Sequence, residues 1–148
     1  MNRRAALSTL AASAAALATV AAGTKASAHQ GDMHDMQFET CAKACADCQT
    51  HCDSCFQHCA ELLAKGEKNH LKTMRACVDC AECCKLAATL SARHSPYAVA
   101  ACECCAKCND DCAAACEKFP NDKHMAMCAK SCRDSAKACR EMIKHMAH

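Results

Sequence analysis

Glycine, proline and large apolar side chains are scarce in this 148-residue sequence, which has three Gly, two Pro, one Tyr, three Phe and no Trp. Three glycines do not supply a Gly-rich phosphate loop, and no alternating pattern typical of β-strands occurs. Beyond residue 28, only 11 of 120 residues are Leu, Ile, Val or Phe, too few for an ordinary packed core. The hydrophobic fraction of 52% therefore depends on Ala and Cys.

A large excess of charge of one sign is absent too. Residues 29–148 contain 15 Lys or Arg and 16 Asp or Glu, a net charge of −1 with neutral His. No basic surface for nucleic acid is expected from this balance. The sequence has no His-Glu-x-x-His motif, and no strand from which a thioredoxin-like site could be built. We therefore expect that the protein is not an enzyme.

The amino terminus has the pattern of a twin-arginine signal peptide. Arg3 and Arg4 precede an apolar, Ala-rich stretch, and the small-residue pattern Ala-Ser-Ala follows at 26–28. This cleavage pattern favours a signal peptide over a transmembrane helix. We expect residues 1–28 to be removed, the protein to be periplasmic without a membrane anchor, and residues 29–36 to form a flexible tail rich in His and Met.

Three breaks divide the rest of the chain into four helical segments. Gly66 can end the first helix, Ser95-Pro96 suits the start of the third, and Pro120 lies in the last break. The predicted helices cover about 37–64, 68–93, 96–118 and 121–146. Because the loops are short, consecutive helices should be antiparallel. We expect an all-α fold, an antiparallel up-down four-helix bundle with a Cys-lined core over residues 37–148.

Cysteine is the abundant residue, and in the first helix it recurs in steps of four and three. An α-helix has 3.6 residues per turn, so this spacing places the thiols on one face, where an ordinary bundle would carry Leu and Ile. The other helices carry similar stripes, and the four stripes should meet along the bundle axis. All nineteen cysteines are candidate metal ligands: Cys41, Cys45, Cys48, Cys52, Cys55, Cys59, Cys77, Cys80, Cys83, Cys84, Cys102, Cys104, Cys105, Cys108, Cys112, Cys116, Cys128, Cys132 and Cys139.

The same spacing predicts which residues of the later helices face inward. In the second helix these are Cys77, Cys80 and Cys84, continued by Ala87 and Ser91, with Cys83 alongside. In the third helix they are Cys105, Cys108 and Cys112, flanked by Cys102, Cys104 and Cys116. In the fourth helix they are Met125, Cys128, Cys132, Ser135, Cys139, Met142 and Met146.

Thiolates are soft ligands that select Cu(I), zinc or iron–sulfur clusters. Zinc sites use four convergent ligands, commonly from short Cys-x-x-Cys turns, and the cysteines of iron–sulfur clusters come largely from loops. Two thiols one helical turn apart suit Cu(I), which accepts two ligands. If each thiolate bridges two ions, the bundle would hold on the order of 15 to 20 Cu(I) ions. A zinc or general heavy-metal sequestering protein is the alternative.

Two interpretations without metal fit the pattern less well. A free cysteine can be a small buried hydrophobe, but this does not explain nineteen of them on four stripes. A disulfide framework is common in exported Cys-rich chains. Here the number of cysteines is odd, and thiols one turn apart on the same helical face are poor disulfide partners.

The sequence resembles the bacterial copper storage proteins, in their exported, Tat-type branch. The resemblance extends over the chain after residue 28 and rests on repeated cysteine steps such as Cys41-x-x-x-Cys45-x-x-Cys48 and Cys128-x-x-x-Cys132. It implies a four-helix bundle whose inward cysteines bind many Cu(I) ions, commonly assembled as a homotetramer. It also implies that the protein buffers or supplies copper outside the cytosol, to copper-requiring enzymes or chaperones.

Met and His side chains are concentrated at the end of the predicted bundle where the first helix starts and the last one ends. Thioether and imidazole bind copper more weakly than thiolate, so they suit a place where ions enter and leave. Leu and Phe residues should close the other end, although His70 and Met125 lie there too. His51 and His58 should lie at the edge of the first stripe. The candidate ligands at the copper entrance are Met33, His34, Met36, Met142, His145 and Met146.

Overall fold

A computed structural model describes the backbone of residues 24–147 and, of the side chains, those of Met33 and of residues 35–147. It contains four α-helices: α1 (Thr24–Ala64), α2 (Leu71–Ala92), α3 (Ala98–Cys116) and α4 (Lys123–Met146). A 3-10 turn, Lys68–His70, precedes α2. Within residues 24–147 there is no strand. The predicted all-α four-helix bundle is confirmed.

The start of α1 differs from the prediction. The helix already includes Thr24, well before residue 37, so residues 29–36, for which a flexible tail was expected, lie within it. The proposed signal peptide lies mostly outside the described residues, and its removal stays a prediction. Among the helices of residues 24–147, none has both the length and the hydropathy needed to cross a membrane.

Specific residues end and begin the other helical segments. Gly66 follows α1 with φ +92°, a left-handed conformation that glycine adopts without steric cost, and the amide of Glu67 donates back to the Leu62 carbonyl at 3.0 Å. Asp122 caps α4, because its carboxylate accepts hydrogen bonds from the amides of His124 (2.8 Å) and Met125 (3.1 Å). The breaks predicted at Gly66 and near Pro120 are therefore at the right places.

Each helix packs against two neighbours: α1 and α3 both contact α2 and α4. Cys41, early in the bundle part of α1, lies near Ser91 at the end of α2 and Cys139 late in α4. Consecutive helices are therefore antiparallel. One end of the bundle contains Cys41, the first cysteine of α1, and the carboxyl end of α4, and we call it the Met142 end. The opposite end, where α1 and α3 finish, is called the His70 end.

The interior is built from sulfur and small side chains. Sixteen cysteines are buried, together with alanines such as Ala87 and Ala113, and with Met142 and Met125 near the two ends. Buried aliphatic side chains are scarce in the described part of the chain, and Phe38 is the buried aromatic residue. Thiols thus occupy the positions at which a bundle normally packs Leu and Ile.

Candidate metal centre

The buried cysteines form one group along the bundle axis, which we call the core thiols. Each has 1% or less of its surface exposed to solvent. Because the α-helical spacing of three and four residues repeats on all four helices, every helix contributes to this group. The core thiols are Cys41, Cys45, Cys48, Cys52, Cys55, Cys59, Cys77, Cys80, Cys84, Cys102, Cys105, Cys112, Cys116, Cys128, Cys132 and Cys139.

Towards the Met142 end, sulfurs of three different helices approach one another. The Sγ of Cys41 lies 3.5 Å from that of Cys102 on α3 and 3.8 Å from that of Cys139 on α4. The Sγ of Cys45, one turn further along α1, lies 3.5 Å from that of Cys139 and 4.0 Å from that of Cys105. Cys139 thus lies between two successive thiols of α1.

The same arrangement continues towards the His70 end. The Sγ of Cys132 on α4 lies 3.7 Å from that of Cys48, 3.7 Å from that of Cys52 and 3.9 Å from that of Cys80. The Sγ of Cys52 also lies 3.9 Å from that of Cys128. Sulfurs of diagonally opposed helices therefore meet across the axis, which leaves a narrow interior lined by thiols.

Several sets of core thiols have the dimensions of metal sites, because their sulfurs all lie within 4.8 Å of one another. One set has three members: Cys41, Cys45 and Cys139. Three sets have four members each: Cys48, Cys52, Cys80 and Cys132; Cys52, Cys112, Cys128 and Cys132; Cys55, Cys77, Cys116 and Cys128. The second set shares Cys52 and Cys132 with the first and Cys128 with the third. Shared members mean that one thiolate can bridge two ions.

The sulfur separations suit bridging by a soft metal ion. Two sulfurs bound to one ion, each with a bond of about 2.3 Å, lie at most about 4.6 Å apart. The contacts described above are 3.5–4.0 Å long, for example between Cys45 and Cys139 and between Cys52 and Cys128. An ion can therefore bind two thiolates of different helices without a change of fold.

Asn109 is a buried polar residue of the core that sequence reasoning missed. Its Oδ1 accepts hydrogen bonds from the thiols of Cys48 (3.0 Å) and Cys80 (3.3 Å). Its Nδ2 donates to the carbonyl oxygen of Cys105 (3.0 Å) and to the Oγ of Ser135 (3.2 Å). With these bonds the buried amide is fully paired, as burial of a polar group requires.

The inward face of α3 differs from the predicted one. Cys108 was expected to face inward with Cys105 and Cys112, but it is only partly buried. The true stripe starts one turn earlier and runs in steps of 3, 4, 3 and 4: Cys102, Cys105, Asn109, Cys112 and Cys116. A spacing count from Cys102 includes Asn109, but an amide side chain is unusual at a core position, so its residue type does not indicate burial.

Three cysteines lie outside the core and are called the surface thiols: Cys83 on α2 and Cys104 and Cys108 on α3. Cys104 is exposed and the other two are partly buried. The Sγ of Cys83 lies 3.2 Å from that of Cys108 and 3.8 Å from that of Cys104. All three sulfurs lie within 4.8 Å of one another. The inward-facing cysteines Cys84 and Cys105 are their chain neighbours.

Neighbouring thiols change one another's acidity. Hydrogen bonds with Cys102 and Cys105, together with burial, raise the pKa of Cys139. Hydrogen bonds from Cys105 and Cys139 lower the pKa of Cys45, because they stabilise its thiolate. The core thiols therefore share protons, and those with a raised pKa stay protonated at neutral pH until a metal ion displaces the proton.

At the Met142 end the predicted entrance residues differ in burial. Met142 is fully buried, whereas Met33, Met36 and Met146 are 40–55% exposed. His145 is partly buried, and the side chain of His34 lies outside the described residues. The ring of Phe38 is buried at this end and stacks on His94, with 4.6 Å between ring centroids.

The His70 end carries imidazole and thioether groups beside the thiols. His70 is only 4% exposed, its ring stacks on Phe119 at 4.1 Å, and its Nδ1 has no hydrogen-bond partner. The buried Met125 Sδ lies 3.5 Å from the Sγ of Cys55. Leu71, expected to help close this end, is 41% exposed. The predicted apolar closure is therefore incomplete, although Phe119 is partly buried there.

His51 and His58 lie at the edge of the α1 stripe, as expected. His51 bonds through Nδ1 to the carbonyl oxygen of Asp47 at 2.8 Å. His58 bonds through Nε2 to the carboxylate of Asp122 at 2.8 Å and stacks on His124. One ring nitrogen of each histidine thus has an oxygen partner outside the thiol core.

Comparison with known proteins identifies the family. A family profile described as copper storage protein matches residues 34–144, which is most of the chain. The chain belongs to the copper storage protein family. The predicted resemblance is thereby confirmed at the level of the family, which is one of storage proteins rather than enzymes. A search of curated proteins finds no match.

Solved structures of this family have the same fold. Apo-Csp3, a copper storage protein from Bacillus subtilis, is 33% identical with a TM-score of 0.63, over 71% of this chain and 97% of that one. The Cu(I)-bound copper storage protein BsCsp3 is 32% identical with a TM-score of 0.64, over 72% and 98%. A cytosolic copper storage protein from Streptomyces lividans with five coppers is 26% identical with a TM-score of 0.68, over 77% and 98%. Multiple Cu(I) ions are the cargo of this family.

The Streptomyces protein contradicts the predicted periplasmic location. That prediction relied on Arg3 and Arg4, on the Ala-Ser-Ala pattern at 26–28 and on a resemblance to exported members. A relative with the same fold is described as cytosolic. The predicted periplasmic location is therefore wrong, because membership of a family that includes a cytosolic protein does not place a chain outside the cytosol.

Proposed function

We propose that this protein stores Cu(I) ions on its core thiols, at close to one ion per cysteine. The observation that carries the proposal is the continuity of the thiol column. For example, the sulfur of Cys132 has three thiol neighbours within 3.9 Å, on α1 and α2. A thiolate with several such neighbours can bridge two ions, and a two-coordinate soft ion is the matching cargo.

The closeness of the sulfurs also provides a path for the ions. An ion held between Cys41 and Cys139 can exchange one ligand for Cys45, whose Sγ lies 3.5 Å from that of Cys139. Such a step breaks one metal–sulfur bond while the other holds, so the ion never becomes free. Repeated steps distribute ions along the axis, and filling does not require the bundle to open.

The Met142 end is proposed as the place where copper enters and leaves. This end of the bundle has three exposed thioethers, those of Met33, Met36 and Met146, and the buried thioether of Met142. Met142 lies three residues after the core thiol Cys139, on the same face of α4. Thioether ligands release Cu(I) more readily than thiolates, so this order of ligands allows transfer inward and outward.

Zinc sequestration is the alternative cargo, and the geometry argues against it. A zinc ion takes four ligands in a tetrahedron and fills its site with them. The three four-sulfur sets share members, so they do not provide three separate tetrahedral zinc sites. Low-coordinate Cu(I) makes use of shared thiolates, whereas closed zinc sites do not.

A metal titration tests the proposal. The reduced protein is titrated anaerobically with Cu(I) and separately with Zn²⁺, each in competition with a chromogenic chelator. We expect on the order of 15 tightly bound Cu(I) ions per chain. Saturation by zinc near one ion per four cysteines, with no larger copper capacity, would show a zinc protein instead. A double variant, C48S/C52S, should bind about two fewer Cu(I) ions, while an exposed control, S54A, should bind as many as the wild type.

A further inference from the structure

The surface thiols are not part of the core store. Cys83, Cys104 and Cys108 lie on the outer side of the α2–α3 pair, whereas Cys84 and Cys105 beside them in the chain face the axis. The nearest sulfur contacts of Cys83 are those to Cys104 and Cys108. Cys83 packs against the edge of the core, but Cys104 is exposed, and an exposed free thiol is a reactive group that most proteins avoid. Their presence as a trio needs another explanation.

The three sulfurs have the arrangement of a three-coordinate site. Cys104 and Cys108 are one turn apart on α3, which places them on one face, and Cys83 approaches both from α2. Three sulfurs around one ion in a plane, with bonds of about 2.3 Å, are about 4.0 Å apart. The Sγ of Cys83 lies 3.2 Å from that of Cys108 and 3.8 Å from that of Cys104, and all three sulfurs lie within 4.8 Å of one another. These separations are close to the expected value. Small side-chain rotations produce the bound geometry.

We propose that Cys83, Cys104 and Cys108 bind one Cu(I) ion on the outside of the bundle, at a site that exchanges faster than the core. The choice of Cu(I) rests on the proposed function. Binding releases the proton of each thiol that becomes a ligand, and three thiolates around Cu(I) carry a net charge of −2. Water can solvate this charge because Cys104 is exposed.

Because Cys104 is exposed, we expect the ion at the surface thiols to exchange rapidly with ligands in solution. A thiol-containing ligand from solution can attack an ion at Cys104 directly, whereas an ion on fully buried thiols such as Cys52 or Cys132 has no such contact with solvent. The ion at the surface thiols should therefore be the first one lost to an external chelator.

Alkylation with mass spectrometry locates the site directly in the full-length protein. The reduced protein, with and without Cu(I), is treated anaerobically with iodoacetamide for a short time and digested. We expect Cys83, Cys104 and Cys108 to be the fastest alkylated residues of the metal-free protein and to be protected after copper loading. Equal alkylation of the three residues in the loaded and metal-free proteins would overturn the proposal.

A triple variant, C83S/C104S/C108S, tests the exchange rate. It should bind about one Cu(I) ion fewer than the wild type and should lack the fastest phase of copper release to a chelator. The matched control replaces a buried trio, C41S/C45S/C139S, and should keep that fast phase while losing capacity. Far-UV circular dichroism verifies folding of both variants. Unchanged capacity and release in the surface variant would contradict the proposal, including the case in which these thiols only form a disulfide.

The two proposals fail separately. If the wild type holds many Cu(I) ions but the surface thiols are not protected, the surface site is disproved and storage is not. If the wild type binds a single Cu(I) ion that protects Cys83, Cys104 and Cys108, storage by the core is disproved and the surface site is supported.

Discussion

The thiol of Cys48 donates a hydrogen bond of 3.0 Å to the Oδ1 of Asn109 in the middle of the bundle. Asn109 also accepts from Cys80 on the His70 side, and its Nδ2 lies 3.5 Å from the sulfur of Cys84 on the Met142 side. A neutral amide thus lies among the sulfurs of the core thiols. Cys80 and Cys84, whose sulfurs are 4.0 Å apart, continue the column past it.

Replacing Asn109 should destabilise the metal-free protein. N109A removes a fully buried amide together with its hydrogen bonds to Cys48, Cys80 and Ser135, so we expect the free energy of unfolding to fall by about 2 kcal/mol. Urea denaturation of the reduced protein measures this change. Q57A, which removes an exposed amide from α1, is the control and should change stability by less than about 0.5 kcal/mol. An N109A protein as stable as Q57A would show that the amide is not a structural element of the core.

Copper should raise the thermal stability of the protein steeply. The core has thiols where other bundles have Leu and Ile, so the reduced metal-free protein should be helical but should melt at low temperature. An ion bound only by the folded state adds about 4 kcal/mol at a free concentration 1,000 times its Kd, and many ions bind. Circular dichroism melts of the reduced protein with and without Cu(I) measure the difference. Equal melting temperatures would be incompatible with this expectation.

Copper affinity should fall as the pH is lowered. Hydrogen bonds with Cys102 and Cys105, and burial, raise the pKa of Cys139, so this thiol is protonated below that raised pKa and Cu(I) must displace its proton. Each displaced proton weakens binding by about tenfold for each unit by which the pH falls. Competition titrations at pH 8, 7 and 6 test the direction. Binding that is independent of pH would mean that the ligands are not protonated thiols.

The location of the entrance can be tested by comparing the two ends. Substituting Leu for Met33, Met36, Met142 and Met146 should slow copper loading and release and leave the capacity nearly unchanged, because the thiolates set the capacity. The matched variant at the other end, H70F/M125L, removes the imidazole with its unpaired Nδ1 and the thioether beside Cys55. Stopped-flow uptake and chelator-driven release are measured for both. Slowing only in H70F/M125L would place the entrance at the His70 end.

The sequence predicted the bundle because the cysteine spacing, the breaks and the helix lengths all indicate the same fold. The stripe of α1 was assigned correctly, since its six cysteines leave one possible helical phase. In α3 seven of the nineteen positions from 98 to 116 are candidates for the inward face, six of them cysteines, and this allowed a wrong phase with Cys108 inside. Periodicity alone did not decide between Cys108 and Asn109.

The properties of the ends and of the outer surface could not be predicted in the same way. The clustering of Cys83, Cys104 and Cys108 depends on how α2 and α3 pack, which a single helical pattern does not contain. The environment of His70, whose ring stacks on Phe119 in another segment, likewise depends on packing between segments. Assembly as a homotetramer and transfer of copper to enzymes or chaperones, both implied by the resemblance, stay predictions.

The most direct test of the central claim is a crystal structure of the copper-loaded protein with anomalous diffraction recorded at the copper edge. We expect a row of copper peaks along the bundle axis, each within about 2.3 Å of two or more core thiol sulfurs, including those of Cys48, Cys52 and Cys132. A loaded protein whose copper peaks lie only on the outer surface, with the axis empty, would contradict storage by the core thiols.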